Sequence, residues 1–328
     1  MFLIKKHVGQ MMKISKPEKL CIVNSNYSLL LYLLHIEKDV NKTMFICGDG
    51  ISKDIFANLT YGFKLPRFKN RVVHNSYLMI YYLFSWLILK PILKAKFKNS
   101  YGHDHLYFSN LLNVNYVTIE DGLGNYITNG PKSNKLLKFF TDIDAPLGRC
   151  NKSKKVVLTG MRDVPVDLKY KTETINIYDS WSRLNESDKG EISAVFNCSK
   201  SLLKCISGKD ILITQPLSED GYITEKQKTD AYQDLLSLTG IKSFILKRHP
   251  RDRTKYKFTQ TYSEINNAIP FELLTLNGVR FSKAVTIYSG SAENVKADLI
   301  YIRGTKEIRL INDDIPKVDF KVIENENY

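Results

Sequence analysis

The chain has 328 residues and a mass of 37.8 kDa, more than one domain of roughly 100–200 residues needs, so two domains are expected. With 43% hydrophobic and 25% charged residues it carries enough apolar material for a core, which excludes wholesale disorder. The net charge of +14 points to an anionic partner, but the excess is local: residues 1–100 hold 16 Lys/Arg against five acids, and no acid stands between Asp54 and Asp104.

In chain order, Leu20–Asn24, Met44–Cys47, Leu106–Ser109, Tyr116–Ile119 and Val156–Thr159 read as strands, with helical stretches at Tyr27–Glu37 and Tyr77–Leu89. The Tyr77–Leu89 run has thirteen residues without a charge, short of the about 20 that cross a bilayer. It is expected either to lie at a headgroup surface, using the lysines and aromatics of segment 64–98, or to be a core helix. After a polar stretch at Ser180–Gly190, strands resume at Ile211–Thr214, Phe244–Lys247, Val285–Tyr288 and Leu299–Ile302. Helices are expected at Glu225–Leu238, Phe271–Leu276 and about Ala292–Ala297. This alternation predicts an α/β fold of two Rossmann-type doubly wound domains facing a cleft, residues 12–190 and 191–328. Five scattered cysteines, odd in number and without a C-x-x-C pair, argue against disulfides and structural zinc and suit a reducing cytoplasm. The opening residues lack the apolar stretch of a signal peptide.

In doubly wound sheets, ligands bind beyond the carboxyl ends of strands. After Tyr116–Ile119 come Glu120 and Asp121, then Gly122; the pair is either an Asp-Gly turn or a carboxylate presented as a general base. Glu219-Asp220-Gly221 repeats this pattern after Ile211–Thr214, where the acids also suit the start of the next helix. Phe244–Lys247 leads into Arg248-His249-Pro250-Arg251, which offers an imidazole between two cations, suited to a phosphate or merely exposed. Glu272, just after Pro270, is a first-turn acid or an acceptor for ribose hydroxyls. Ser289-Gly290-Ser291 is either a helix cap or a phosphate-binding turn. Asp142-Ile143-Asp144 has the spacing of a metal–nucleotide pair but no strand before it. Walker, G-x-G-x-x-G and H-E-x-x-H motifs are absent.

The order of these motifs resembles the bacterial sialyltransferases of glycosyltransferase family 52, which act on lipooligosaccharide and capsule. The resemblance spans about residues 115–295 and includes Gln-Pro-Leu-Ser-Glu-Asp-Gly and Arg-His-Pro. It implies a GT-B-like pair of domains, acceptor-side first and CMP-binding second. It further implies a metal-independent, inverting transfer from CMP-sialic acid to a galactose-type hydroxyl, with no cofactor. His249 would then be the acid on the departing phosphate, with Arg248 and Pro250 beside it. Glu272 would take the ribose, and Ser289, Gly290 and Ser291 the phosphate or the sialic acid carboxylate. Asp121, with its neighbour Glu120, and Asp220 both match a base. The implied location is cytoplasmic, on the inner face of the membrane, and a homodimer is compatible with it. Another sugar-nucleotide donor, such as a Kdo donor, fits the same architecture. A nucleic-acid-binding role would draw on the +14 charge and on Tyr61–Arg71, but the near-neutral second half and the absence of a nucleic-acid motif oppose it, and no nucleic acid is expected as partner.

Overall fold

The computed structural model describes residues 16–66, 68, 70–113, 115–128, 138, 143–287, 295–303 and 320–324. The chain divides into two compact units, Met1–Phe196 and Asn197–Tyr328. In the first, seven strands run β1 (Lys19–Val23), β2 (Thr43–Cys47), β3 (Tyr61–Lys64), β4 (Asn99–Gly102), β5 (Tyr116–Ile119), β6 (Ser153–Leu158) and β7 (Thr172–Thr174). They form one parallel sheet in the order β3-β2-β1-β4-β5-β6-β7. In the second, β8 (Ile211–Ile213), β9 (Ser243–Lys247), β10 (Thr261–Glu264), β11 (Phe281–Ile287), β12 (Ala297–Arg303) and β13 (Phe320–Glu324) take the order β10-β9-β8-β11-β12-β13. That sheet is parallel except where β13 pairs antiparallel with β12. Both sheets reverse direction of winding once, between β1 and β4 and between β8 and β11, as two Rossmann-type halves do. The chain is thus two parallel-sheet α/β domains in series, a GT-B-like composition.

The helices are α1 (Asn26–His35), α2 (Lys53–Ala57), α3 (Arg71–Phe84), α4 (Lys90–Lys96), α5 (Ile177–Ser182), α6 (Glu186–Val195), α7 (Lys200–Ile206), α8 (Glu225–Leu238) and α9 (Phe271–Leu276). Helix α1 is apolar all round because it is buried from Ser28 to Leu34, and Ser25 caps it by accepting the Ser28 N–H. Helix α8 starts at a capping box, in which Thr224 and Gln227 each accept the other's N–H.

Three elements differ from the sequence reading. Leu106–Ser109 is not a strand; Asn99–Gly102 is. The apolar run looked like the strand because β4 carries almost no apolar side chain and is held by its two parallel neighbours. Gly102 is required there: at φ +123°, a Cβ would lie 1.8 Å from the Ile22 carbonyl oxygen. The polar stretch Ser180–Gly190 is largely helical, since Asn176 and Asn185 cap α5 and α6. Of the expected Ala292–Ala297 helix, residues 292–294 lie outside the described residues, Val295 and Lys296 are not helical, and Ala297 begins β12.

The Tyr77–Leu89 run is the middle of one continuous helix, Val72–Lys96, of 25 residues. By length and composition this helix is enough to cross a membrane, because Val72, Val73, Ile92 and Leu93 extend the apolar surface beyond the charge-free run. It is not a core helix: Met79, Ile80, Leu83, Trp86, Leu87 and Ile92 are all exposed. The opposite face packs Tyr81, Tyr82 and Leu93 against Phe97, Phe108 and Leu111. A π turn at Ser85–Leu89 joins α3 to α4, with the Lys90 N–H donating to the Ser85 carbonyl. The Ser85 hydroxyl, in turn, accepts from Asn110 Nδ2 at 2.7 Å and anchors the bend to the domain.

Candidate functional site

In the first unit the chemistry gathers where β1, β4 and β5 end. Glu120 and Asp121 are neighbours, yet the sheet sends them to different surroundings. Glu120 is fully buried and accepts from Tyr27 Oη (3.0 Å), Tyr126 Oη (2.7 Å) and the Thr159 N–H (2.6 Å). With both oxygens occupied and no surface, Glu120 acts as a tie between β5, β6 and α1; this geometry does not suit it to the role of base. Asp121 is partly exposed, and its two oxygens stand 3.3 Å from His103 Nε2 and 3.1 Å from His105 Nε2. Gly122, at φ +102°, turns the chain away from it. Burial pushes the Asp121 carboxyl up, but the two imidazoles outweigh this and hold it at about 2. Burial pushes His103 down to about 4.

The histidines were not among the sequence candidates. With a strand expected at Leu106–Ser109, His103 and His105 fall before a strand rather than at the end of one, where ligand-binding residues are sought. The usable signal was two of only six histidines at i, i+2 after a glycine. Asp104 between them is buried and accepts from Tyr116 Oη (3.0 Å) and the Leu147 and Gly148 N–H groups (2.6 and 2.9 Å). It fixes the backbone that carries both rings.

In the second unit, β9 ends at Lys247 and presents Arg248-His249-Pro250. His249 is half-buried; its Nδ1 accepts the Arg251 N–H at 3.1 Å. In the neutral ring the proton therefore sits on Nε2, as a donor. Burial first, and the Arg251 charge second, hold the imidazole down to about 4. The Arg251 guanidinium also grips Asp220 through two hydrogen bonds, Nη2 at 3.0 Å from Oδ2. Arg251 thus joins the acid and one of the two base candidates of the sequence reading. Arg248 is engaged by Glu264 at 2.5 Å, and Pro250 is exposed. Glu272 lies in the first turn of α9, nearly buried, after Pro270. Burial pushes the Lys247 ammonium down to about 8, with Glu272 opposing it. Asp142, Ser289, Gly290 and Ser291 lie outside the described residues.

The loop of His249 rests on an ion network that the sequence reading missed. Lys228 is fully buried and donates to Asp252 (2.7 Å), Glu219 (2.8 Å) and Ser218 (3.3 Å). Asp252 also accepts from Thr214, from Tyr256 Oη at 2.8 Å and from the Thr254 N–H at 3.0 Å. Glu219 accepts the Arg253 N–H at 2.6 Å. Burial pushes Glu219 up, but Lys228 and that N–H prevail and hold it at about 2. The network pins the segments carrying Asp220 and His249 to α8. Its signal was present: Lys228 lies on the same stripe of α8 as Ala231, Tyr232, Leu235 and Leu236, all buried.

Residues 99–306 match the sequence model of glycosyltransferase family 52. The chain belongs to that family. This family 52 chain is therefore a glycosyltransferase, which binds a sugar-nucleotide donor and a glycan acceptor. The match begins at β4 and takes in both Asp121 and His249. The family 52 chain is also 29% identical over 290 residues to an uncharacterized protein of Haemophilus influenzae, covering 87% of this chain and 93% of that one. Among solved structures it is similar to a UDP-GlcNAc 2-epimerase from Neisseria meningitidis bound to UDP-GlcNAc. That likeness has 13% identity, 84% of this chain and 79% of the other, and a TM-score of 0.46. The UDP-GlcNAc 2-epimerase of Methanocaldococcus jannaschii, in complex with UDP-GlcNAc and UDP, gives 14% identity, 84% and 80% coverage, and a TM-score of 0.47.

Proposed function

We propose that this family 52 chain is an inverting, metal-independent sialyltransferase. It moves sialic acid from CMP-sialic acid to a galactose-type hydroxyl of a bacterial surface glycan. The observation that carries this reading is His249: a half-buried imidazole, neutral at pH 7, whose Nδ1 is taken by a backbone N–H. Its Nε2–H is a preset donor for a phosphate oxygen. A phosphate oxygen accepts this hydrogen bond, which strengthens as negative charge builds on the departing CMP, with no net loss of the proton from the neutral ring. Sialyl transfer passes through an oxocarbenium-like state at a tertiary carbon with a good leaving group, so positioning and charge uptake supply most of the catalysis. Release of CMP from CMP-sialic acid with lactose as acceptor tests it. No turnover together with no thermal protection by CMP defeats the reading.

The base is Asp220 in this reading. Asp121 has both carboxylate oxygens facing imidazole nitrogens and is held down to about 2, which does not suit it to take a proton. Asp220 is held by Arg251, whose side chain is 62% exposed and free to swing toward a bound anion. Asp220→Asn is expected to lower CMP release by about 10²–10⁴-fold, and Asp121→Asn by much less. The opposite order in the same initial-rate assay assigns the base to Asp121.

The enzyme works in the cytoplasm on the inner membrane surface in this reading, with helix Val72–Lys96 lying in the headgroup plane. The exposed row Met79, Ile80, Leu83, Trp86 and Leu87 supports this, as do Lys94, Lys96 and Lys98 close by. Co-sedimentation with phosphatidylglycerol vesicles is expected to weaken at least tenfold on Leu83→Ser/Trp86→Ser, and with salt. Equal binding by the double variant removes the membrane role.

A further inference from the structure

We propose that His103, His105 and Asp121 bind a first-row divalent cation, zinc fitting best, with one coordination position left open. The site lies outside the sialyl-transfer chemistry proposed above and does not depend on it.

The place comes first. His103 follows β4 and Asp121 follows β5, with β4 beside β1 where the strand order reverses. That is the crevice where a doubly wound sheet presents ligands. The donor set comes second. Two imidazole nitrogens and a carboxylate oxygen lie within 4.8 Å of one another. The nitrogen–oxygen separations are 3.3 and 3.1 Å. Ligand bonds of about 2.0–2.2 Å at tetrahedral angles place neighbouring donors about 3.3–3.6 Å apart. Small side-chain shifts therefore close the three donors on a zinc ion.

An independent observation comes from His103. Its side chain is inaccessible, and neither ring nitrogen has a hydrogen-bond partner. Nε2 faces Asp121 at 3.3 Å without the alignment of an N–H···O bond. A buried imidazole is rarely left this way, and a cation at Nε2 would give that nitrogen the partner it lacks. The surroundings are built as metal sites are. Asp104 holds the backbone between the two histidines through its four hydrogen bonds, and the Asp121 N–H donates to Asn125 Oδ1 at 2.9 Å. His105 and Asp121 keep about a quarter of their side-chain surface exposed, which supplies an entry path and a fourth position for water. Imidazoles select zinc, cobalt or nickel over magnesium and calcium.

The test uses the untagged full chain, stripped with a chelator and titrated with Co²⁺ or Zn²⁺ alone. The readouts are Co²⁺ visible absorption and competition with a chromogenic chelator. One equivalent should bind, with the intense visible bands of low-coordinate cobalt, and binding should weaken at least tenfold in both His105→Ala and Asp121→Asn. His249→Ala should bind as the unaltered chain does. Absence of a saturable equivalent in the unaltered chain overturns the proposal without reference to any variant. So does undiminished binding by a folded His105→Ala. CMP release, measured on the same stripped protein, reports separately on the sialyltransferase reading.

Discussion

His249→Ala is expected to lower the initial rate of CMP release by about 10²–10⁴-fold while leaving the thermal midpoint nearly unchanged. The rate should fall because the ring is the one group on its loop with a proton preset to meet a leaving phosphate. Stability should hold because the half-buried ring supports little else: its Nδ1 accepts one N–H, and the next turn is held by its backbone carbonyl, which accepts from Asp252 at 2.9 Å. The alanine variant keeps that carbonyl, and the Asp252 carboxylate keeps its four donors, three side chains and the Thr254 N–H. A variant retaining more than a tenth of the activity, with CMP still protecting it, would remove His249 from the chemistry.

Replacing Lys228 with methionine should have the largest effect on stability. Lys228 and Asp252 both have fully buried side chains, 2.7 Å apart, with Glu219 on the same ammonium. Methionine fills much of the volume but leaves two carboxylates facing each other without a cation. Removing one partner of a buried pair costs about 3–5 kcal/mol, enough to lower the melting temperature by roughly 10 °C. Activity should fall with it, since the loops of Asp220 and His249 lose their common anchor. A melting temperature within about 2 °C of the unaltered chain would show the network to be dispensable. The same network gives a pH signature. Glu219 has a folded pKa near 2, below its ordinary value, so its contribution is complete above about pH 4.5 and is lost as pH falls toward 2. Glu219→Gln should flatten that limb of the acid unfolding curve.

Much of the fold was legible along the chain. Helices Glu225–Leu238 and Phe271–Leu276 stand where their periodicity and caps placed them, and β5 follows from four residues, Tyr116–Ile119. What failed to show were elements defined by their neighbours. β4 has too little apolar character to register alone, and β3, β7 and β10 are short or exposed edge pieces that exist because a strand beside them offers hydrogen bonds. The candidate site was legible at the level of residue types at strand ends. Partners were not: Glu120 meets Tyr27 and Thr159, which are 93 and 39 positions away. Asp220 meets Arg251 across 31 positions, and Lys228 meets Asp252 across 24.

The sequence by itself determined the α/β class, the order of motifs that marks glycosyltransferase family 52, and the concentration of the net positive charge in the first hundred residues. These are properties of periodicity, spacing and composition, which a chain carries before it folds. Tertiary structure alone decided which acid of the Glu120–Asp121 pair is tied down and which is offered to solvent. It also decided that a lysine in a helix pattern is a buried counter-ion, and that two unremarked histidines meet Asp121. Protonation, burial and ligation depend on what lies within a few ångströms, and those neighbours come from segments far apart in the chain.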